Sequence, residues 1–379
     1  MALPATAPAP ARQRIAFVCP SGAPIRQLGD ILFREVLSRG HRVLAVASAF
    51  GEGDAQVLAA LGAEHVSVAP EAAGFKLFAD WKSISALKEA LKNWAPDVVV
   101  ACGGRTMVHG ALAAKGAGVS RIILAVDGLP EHRFAGALAS DEMPAWRYGQ
   151  ALREASAAVF SNHDDLALLQ KLGVVPATLP VAVIAGTGVE LDDRPPLPLP
   201  PLDHGLRFLM IGGLDRRRGI MEYCEAAAKL RARSPSSRFR LAALPEEAAQ
   251  PLDMGALEAR DGIELADAAD EHHQLLGAAH VFVYPGYAEG MPRPLLQALA
   301  AGRPIVTTDV AGCREAVEDG VNGCLVRPRD ADALAEAMEG LLRRPDRIPA
   351  MARASRAKAE RFETAAAVRA SWLDLLHLA

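Results

Sequence analysis

Tyr284-Pro-Gly-Tyr-Ala-Glu-Gly-Met-Pro-Arg-Pro-Leu-Leu-Gln-Ala-Leu-Ala-Ala-Gly-Arg-Pro-Ile-Val-Thr-Thr-Asp309 sets a strand end, a glycine loop, a helix start and a second strand in one short run. The residues before it, Val281-Phe-Val-Tyr284, are β-branched and aromatic and predict a strand; Pro285-Gly286 and Glu289-Gly290 then break the backbone. An apolar helix is expected over about 292–301. Pro292 and Pro294 suit its first turn, where a missing N–H costs little. The N–H groups of Gly290, Met291 and Arg293 can then face outward at the positive end of the helix dipole, which favours an anion. Gly302 closes the helix, and Pro304-Ile-Val-Thr307 opens the next strand. Loop and helix therefore belong to a βαβ crossover, whose strand carboxyl ends form the ligand crevice.

Working outward, the same alternation fills the C-terminal half. Strands are expected at 207–211, 239–243, 262–265, 304–307 and 323–326, which makes a doubly wound α/β sheet. Between the first of these and a helix over about 220–233 stands Gly212-Gly-Leu-Asp-Arg-Arg-Arg-Gly219. Guanidiniums do not deprotonate, so Arg216, Arg217 and Arg218 beside a helix start suit a diphosphate. The stretch 191–206 is too rich in proline for a helix or central strand and reads as a linker. The N-terminal half repeats the architecture, with strands at 14–19, 40–46, 97–102, 121–126, 158–160 and 181–184. Helices are expected near 25–39, 82–94, 106–116, 144–156 and 164–172. The fold class is α/β, two doubly wound Rossmann-like domains facing a central cleft. The expected divisions are a disordered leader at 1–12, a first domain at 13–190, the linker at 191–206, a second domain at 207–361 and a last helix at 362–379.

Composition narrows the function. A chain of 379 residues with 51% hydrophobic side chains can build two cores. A formal charge of −4 gives no footprint for nucleic acid. Cys19, Cys102, Cys224, Cys313 and Cys324 are scattered without a Cys-x-x-Cys pair, which fits buried thiols in a reducing, cytoplasmic compartment. No apolar run reaches the roughly 18 residues of a membrane span. The opening residues lack the basic flank and apolar stretch of a signal peptide. The first crossover has no Gly-x-Gly-x-x-Gly, which argues against a dinucleotide cofactor. Glu271-His-His273 and His280 do not put two ligands and a helper acid on one helix face, and no metal is expected. Asp164 and Asp165 read as the capped start of a helix.

Glu289-Gly-x-Pro, the alanine-rich helix ending Gly302-x-Pro, and Thr308-Asp309-x-x-Gly312-x-x-Glu315 together resemble the donor-site signature of family-4 retaining glycosyltransferases with the two-domain GT-B fold. Pro96-Asp-Val-Val, Gly110-Ala-Leu-Ala-Ala, Ser161-Asn-His-Asp-Asp165 and Gly186-Thr-Gly-Val189 resemble the family's polysaccharide-assembly branch. The likeness thus covers most of the chain. It implies a nucleotide-sugar co-substrate used without metal, a lipid-linked glycan acceptor, peripheral membrane contact through the first domain, and a last helix that returns to that domain. It also implies that Glu289 meets the donor sugar. The family's second glutamate, which meets the ribose, falls on Gln297, which keeps an acceptor but loses charge assistance.

Two further positions depart from the family. Its strand-end arginine falls on Gly213, so either Arg216 or Arg217 has to reach into its place, while Arg218 keeps the charge of the family lysine. Its strand-end histidine falls on Asp127, with His132 nearby in sequence as a substitute. Arg105 keeps a cation on the first domain's lip as a candidate for acceptor phosphate. The expected activity is transfer of a hexosyl or N-acetylhexosaminyl group, with Glu289, Arg218 and Asp127 at the reacting centre. Arg216, Arg217, Gly290, Met291, Arg293 and Gln297 are expected around the donor. Two alternatives remain: a non-catalytic scaffold that kept the fold, and a sugar-nucleotide epimerase, for which no acid and base pair is identified.

Overall fold

The computed structural model describes residues 12–378, apart from 23–24, 26–28, 69–76, 130–143, 192–195, 203–204, 245–251, 254, 256, 258–261, 267–270 and 288–289. The leader expected at 1–12 therefore lies almost wholly outside the described residues, as do Glu289 and His132.

The first half begins with β1 (Arg14–Val18), a π-helical turn at Gly29–Phe33, α1 (Arg34–Ser38), β2 (Arg42–Ala47), α2 (Glu52–Leu61) and β3 (Glu64–Ser67). It continues through α3 (Leu77–Trp94), β4 (Val98–Cys102), α4 (Gly104–Ala117), β5 (Arg121–Val126), α5 (Ala145–Glu154), β6 (Ala157–Phe160), α6 (His163–Lys171) and β7 (Val181–Val183). The seven strands pair in the order β3-β2-β1-β4-β5-β6-β7, all in parallel. Ile15, Ala16, Phe17 and Val18 are all fully buried, as a strand covered by helices on both faces requires. Met107 and Tyr148 pack on one face, Phe33 and Val36 on the other.

Two local differences from the sequence reading have physical causes. Of the helix expected over 25–39, residues 29–33 wind as a π-helical turn that runs directly into α1. The edge strand β3, all four of whose residues are exposed, carries no apolar pattern from which to predict it.

The second half runs β8 (Arg207–Gly213), a 3₁₀ turn at Arg216–Arg218, α7 (Ile220–Arg231), β9 (Arg238–Leu244), β10 (Glu264–Leu265), α8 (His272–Gly277) and β11 (Val281–Tyr284). Then come α9 (Arg293–Ala300), β12 (Ile305–Thr308), α10 (Ala311–Ala316), β13 (Gly323–Val326), α11 (Ala331–Arg343) and α12 (Ile348–Ala359). Its strands pair in parallel in the order β10-β9-β8-β11-β12-β13. In each sheet the winding reverses once, between β1 and β4 and between β8 and β11. Those reversals mark where ligands bind in open α/β sheets.

The final helix, α13 (Ala365–Leu375), puts Val368, Trp372 and Leu373 into the same cluster as Ile15, Phe17 and Phe33 of the first sheet. Leu375 and Leu378 carbonyls accept from Arg121 and Arg39. The two chain crossings lie side by side, since Val189 bridges Thr364 in parallel and Val189 N–H donates to Glu363 O at 2.9 Å.

The described part of the proline-rich stretch is held against the second domain. Arg303 is completely buried, and its guanidinium donates to the carbonyls of Leu276 at 2.8 Å, Leu197 at 2.9 Å and Pro198 at 2.9 Å. Burial lowers its pKa to about 10, which still leaves it charged at neutral pH. His280 accepts from Arg207 N–H at Nδ1, 2.9 Å, and its Nε2 meets Pro200 O at 3.1 Å.

Candidate active site in the interdomain cleft

At the end of β8 the chain turns through Asp215, whose buried carboxylate caps the 3₁₀ turn by accepting from Arg217 N–H at 2.9 Å. The three arginines of that turn diverge. Arg217 folds back on Asp215, its Nη2 2.7 Å from Oδ2. Arg216 is exposed, and its charge reaches Tyr287. Arg218 points along the sheet and donates to Tyr284 Oη at 3.1 Å. Gly219 has φ +77°, and a Cβ there would stand 2.1 Å from Pro285 O, so the turn presses against the loop after β11. Tyr287 N–H, bonded to Arg217 O at 3.0 Å, ties the two loops together.

Gly290 carries that loop across to the first domain. A Cβ on Gly290 would fall 1.3 Å from Asp127 Oδ1 and 3.0 Å from Ser161 Cβ, so any side chain there would displace the carboxylate. Asp127 follows β5 and is exposed at the cleft. Desolvation of the carboxylate by its surroundings pushes it above the usual range, while a Ser161 hydrogen bond and the Arg218 charge pull it down. Asp127, Arg218, Tyr284 and Gly290 thus converge at the winding reversal of the second sheet. Met291, buried, packs on Gly186 of the first domain's last loop.

Arg293 and Gln297 project elsewhere, into a pocket of about 500 Å³, open mouth included, beside α8 and the crossing at 187–190. Gln297 Oε1 lies 3.2 Å from His272 Nδ1, and Arg293 is 3.6 Å from Glu190. Along α9 the two neighbourhoods are about 9 Å apart at 1.5 Å per residue. Arg105 stands at the first domain's lip but is paired with buried Asp80 at 3.2 Å, so an acceptor phosphate would have to compete with that carboxylate. Gly213 ends β8 and accepts Asp215 N–H at 2.7 Å. Among the described residues, no group of three or more His, Cys, Asp or Glu could hold a metal ion, and no helix is long and apolar enough to cross a membrane.

Sequence reasoning missed the residues that close the cleft. The cap of α6 is Asn162, not an aspartate. Its Oδ1 accepts Asp165 N–H at 2.8 Å, and its Nδ2 donates to Asp165 Oδ2 at 2.8 Å and to Gly290 O at 3.0 Å. Asp165 is buried and also accepts Leu129 N–H at 3.3 Å. Burial pushes its carboxyl up to about 7 against the Asn162 and Leu129 hydrogen bonds, with the Asp127 charge adding to the rise. Next to it, His163 N–H donates to Glu315 Oε1 at 2.7 Å, and Arg314 bonds Asp164 at 2.5 Å. The Ser161-to-Asp165 motif was visible in the sequence; its partners in the other domain were not.

Residues 205–344 match the family described as glycosyl transferases group 1, and residues 32–186 match the glycosyl transferase 4-like domain. Over 344 residues the chain is 24% identical to N,N'-diacetylbacillosaminyl-diphospho-undecaprenol alpha-1,3-N-acetylgalactosaminyltransferase of Campylobacter jejuni subsp. jejuni serotype O:2, covering 87% of this chain and 89% of that protein. Among solved structures, Anabaena HepE in complex with UDP and glucose superposes with a TM-score of 0.70 at 17% identity, over 97% of this chain and 100% of that one. Sucrose-phosphate synthase of Thermosynechococcus elongatus superposes with a TM-score of 0.71 at 18% identity, over 97% and 98%. These superpositions establish the shared two-domain architecture.

Proposed function

We propose, from the premise that this chain belongs to the family-4 glycosyltransferases with the GT-B fold, that it moves a hexosyl or N-acetylhexosaminyl group, with retention, from a nucleoside diphosphate sugar to a lipid-linked polysaccharide precursor. The observation that carries this reading is the convergence of Arg218, the Gly290 loop and Asp127 at the winding reversal of the second sheet. The leaving diphosphate takes the Arg218 charge and the N-terminal end of α9, two cationic elements in place of a metal ion. Glu289 and Asp127 accept sugar hydroxyls and so hold the ring for in-place attack by the acceptor. Gln297 and Arg293 line the pocket that takes the ribose end. Arg216 supplies the second cation, because Arg217 is engaged by Asp215.

The acceptor class follows the Campylobacter relative, whose name specifies a diphospho-undecaprenol substrate. A lipid-linked acceptor implies work at the cytoplasmic face of a membrane. The first turns of α3 and α5, flanking Arg105 at the N-terminus of α4, carry Trp81 and Trp146, which are 63% and 54% exposed. Tryptophan suits the boundary between apolar and wet surroundings, so this rim is the membrane-facing side in the proposal. The test is calorimetry with a panel of nucleotide sugars in the presence of chelator, followed by turnover with membrane lipid extract as acceptor. One donor should bind and be consumed, and Glu289→Ala should abolish transfer while leaving the melting temperature nearly unchanged. Turnover that survives Glu289→Ala would overturn the assignment.

A further inference from the structure

We propose that Asn162 is a positioning residue for sugar transfer, fixing the backbone of the donor loop at Gly290 against the first domain. This rests on the transfer reading above, and the test below separates the two.

Asn162 is completely buried and makes three hydrogen bonds. Two of them stay within its own helix start. Capping alone requires only an acceptor, which serine, threonine or aspartate supplies as well. An asparagine side chain adds a two-proton donor, and here one of those protons crosses to Gly290 O, 128 residues away. The neighbouring contacts between the domains, Asp164 with Arg314 and His163 with Glu315, involve partly exposed side chains, which individually fix little. Met291 packing on Gly186 is buried too but is not directional, so the amide is the contact that sets the orientation of this peptide.

What it positions follows from peptide planarity. The Gly290 carbonyl and the Met291 N–H share one rigid plane and point in opposite directions. Holding the oxygen toward Asn162 aims the Met291 N–H the other way. Gly290 has no side chain to hold it in place, and the Asp127 carboxylate lies against its Cα side. The hydrogen bond from Asn162 thus supplies the anchor that the glycine lacks.

The test compares wild type with Asn162→Ala and with the exchange Asn162→Asp/Asp165→Asn. The exchanged pair keeps the helix cap and the bond between positions 162 and 165 with donor and acceptor reversed; it loses the donor to Gly290 and, because the atom facing position 162 is also the one that accepts Leu129 N–H, that local bond as well. Both variants should lower kcat about tenfold or more, while donor KM changes by less than about threefold. The exchange should melt below wild type, since Leu129 N–H loses its acceptor, but above Asn162→Ala, which loses all three Asn162 bonds. Hydrogen exchange of the segment 290–296 should quicken about tenfold in both, with the first sheet unchanged in the exchanged variant. If Asn162→Ala does not fold, Asn162→Ser, which retains a cap, takes its place. Wild-type kcat in the exchanged variant, or unaltered protection of 290–296, overturns the proposal. If wild type transfers no sugar from any donor in the panel, the transfer reading fails, and the protection of 290–296 still decides whether Asn162 anchors the loop.

Discussion

Arg303 and Arg218 are both partly or wholly buried guanidiniums in the second domain, and they are employed in opposite ways. Arg303 spends its donors on the carbonyls of Leu276, Leu197 and Pro198, fixed backbone acceptors that no ligand can replace. Arg218 meets a phenol hydroxyl and faces a carboxylate across the cleft, side chains that can shift when an anion arrives. A buried cation saturated by backbone holds a fold together. One set among side chains at a winding reversal can serve a ligand.

The comparison breaks if the two arginines respond alike. Arg303→Met strands three carbonyls in the interior and should cost about 3–5 kcal/mol of stability, read as a shifted urea midpoint. Arg218→Ala should leave that midpoint within about 0.5 kcal/mol. Its effect should instead be loss of diphosphate contact, roughly 100-fold in kcat/KM for the donor, with Arg217→Ala far milder.

Asp165 sharpens the contrast from the acidic side. Its carboxyl is raised to about 7 in the fold from an ordinary value of 3.8, so the folded protein binds the extra proton between those limits. Stability from this group is complete below about pH 4 and is lost as pH rises through 7. Asp165→Asn should therefore be more stable than wild type at pH 8, by about 1.5–3 kcal/mol. The advantage should fade in melts at lower pH and vanish near pH 4. The smallest effect is expected at Gln297. Gln297→Glu restores charge to the pocket and should tighten a nucleotide sugar by about 1 kcal/mol, or several-fold in Kd by calorimetry. An unchanged Kd would remove Gln297 from the donor pocket.

What the sequence made legible was whatever is local. β1, β4, β8 and β11 are largely apolar runs that are hydrophobic because both their faces are covered. The glycine and proline spacing around Gly290 and the start of α9 follows from turn and helix-start chemistry within ten residues. β3 was invisible because an exposed edge strand needs no apolar face. The cleft was legible only in part. Arg105 looks like an available cation until Asp80, 25 residues earlier, is seen beside it. Arg216 and Arg217 are equivalent in sequence, and only the position of Asp215 distinguishes them. Asp164 and Asp165 signal a helix start in sequence, but Asn162, which caps it, also bonds a partner in the second domain, where no spacing rule reaches.

The side-by-side crossings at Val189 and Thr364 make the second domain, in effect, an insertion within the first. Residues 12–189 cannot finish their own core without Val368, Trp372 and Leu373, which are synthesised only after the whole of the second domain. Until then Phe17 and Phe33 lack that cover, whereas among the described residues the buried cores of the second domain reach no further than Ala359, with Phe362 packed against them and Val189 added from the first crossing. The usual order of synthesis, in which the first domain made is the first completed, is therefore reversed. A chain stopped after residue 363 should carry a protease-resistant second domain attached to a protease-sensitive first, and digestion of such stalled chains would show which half closes first.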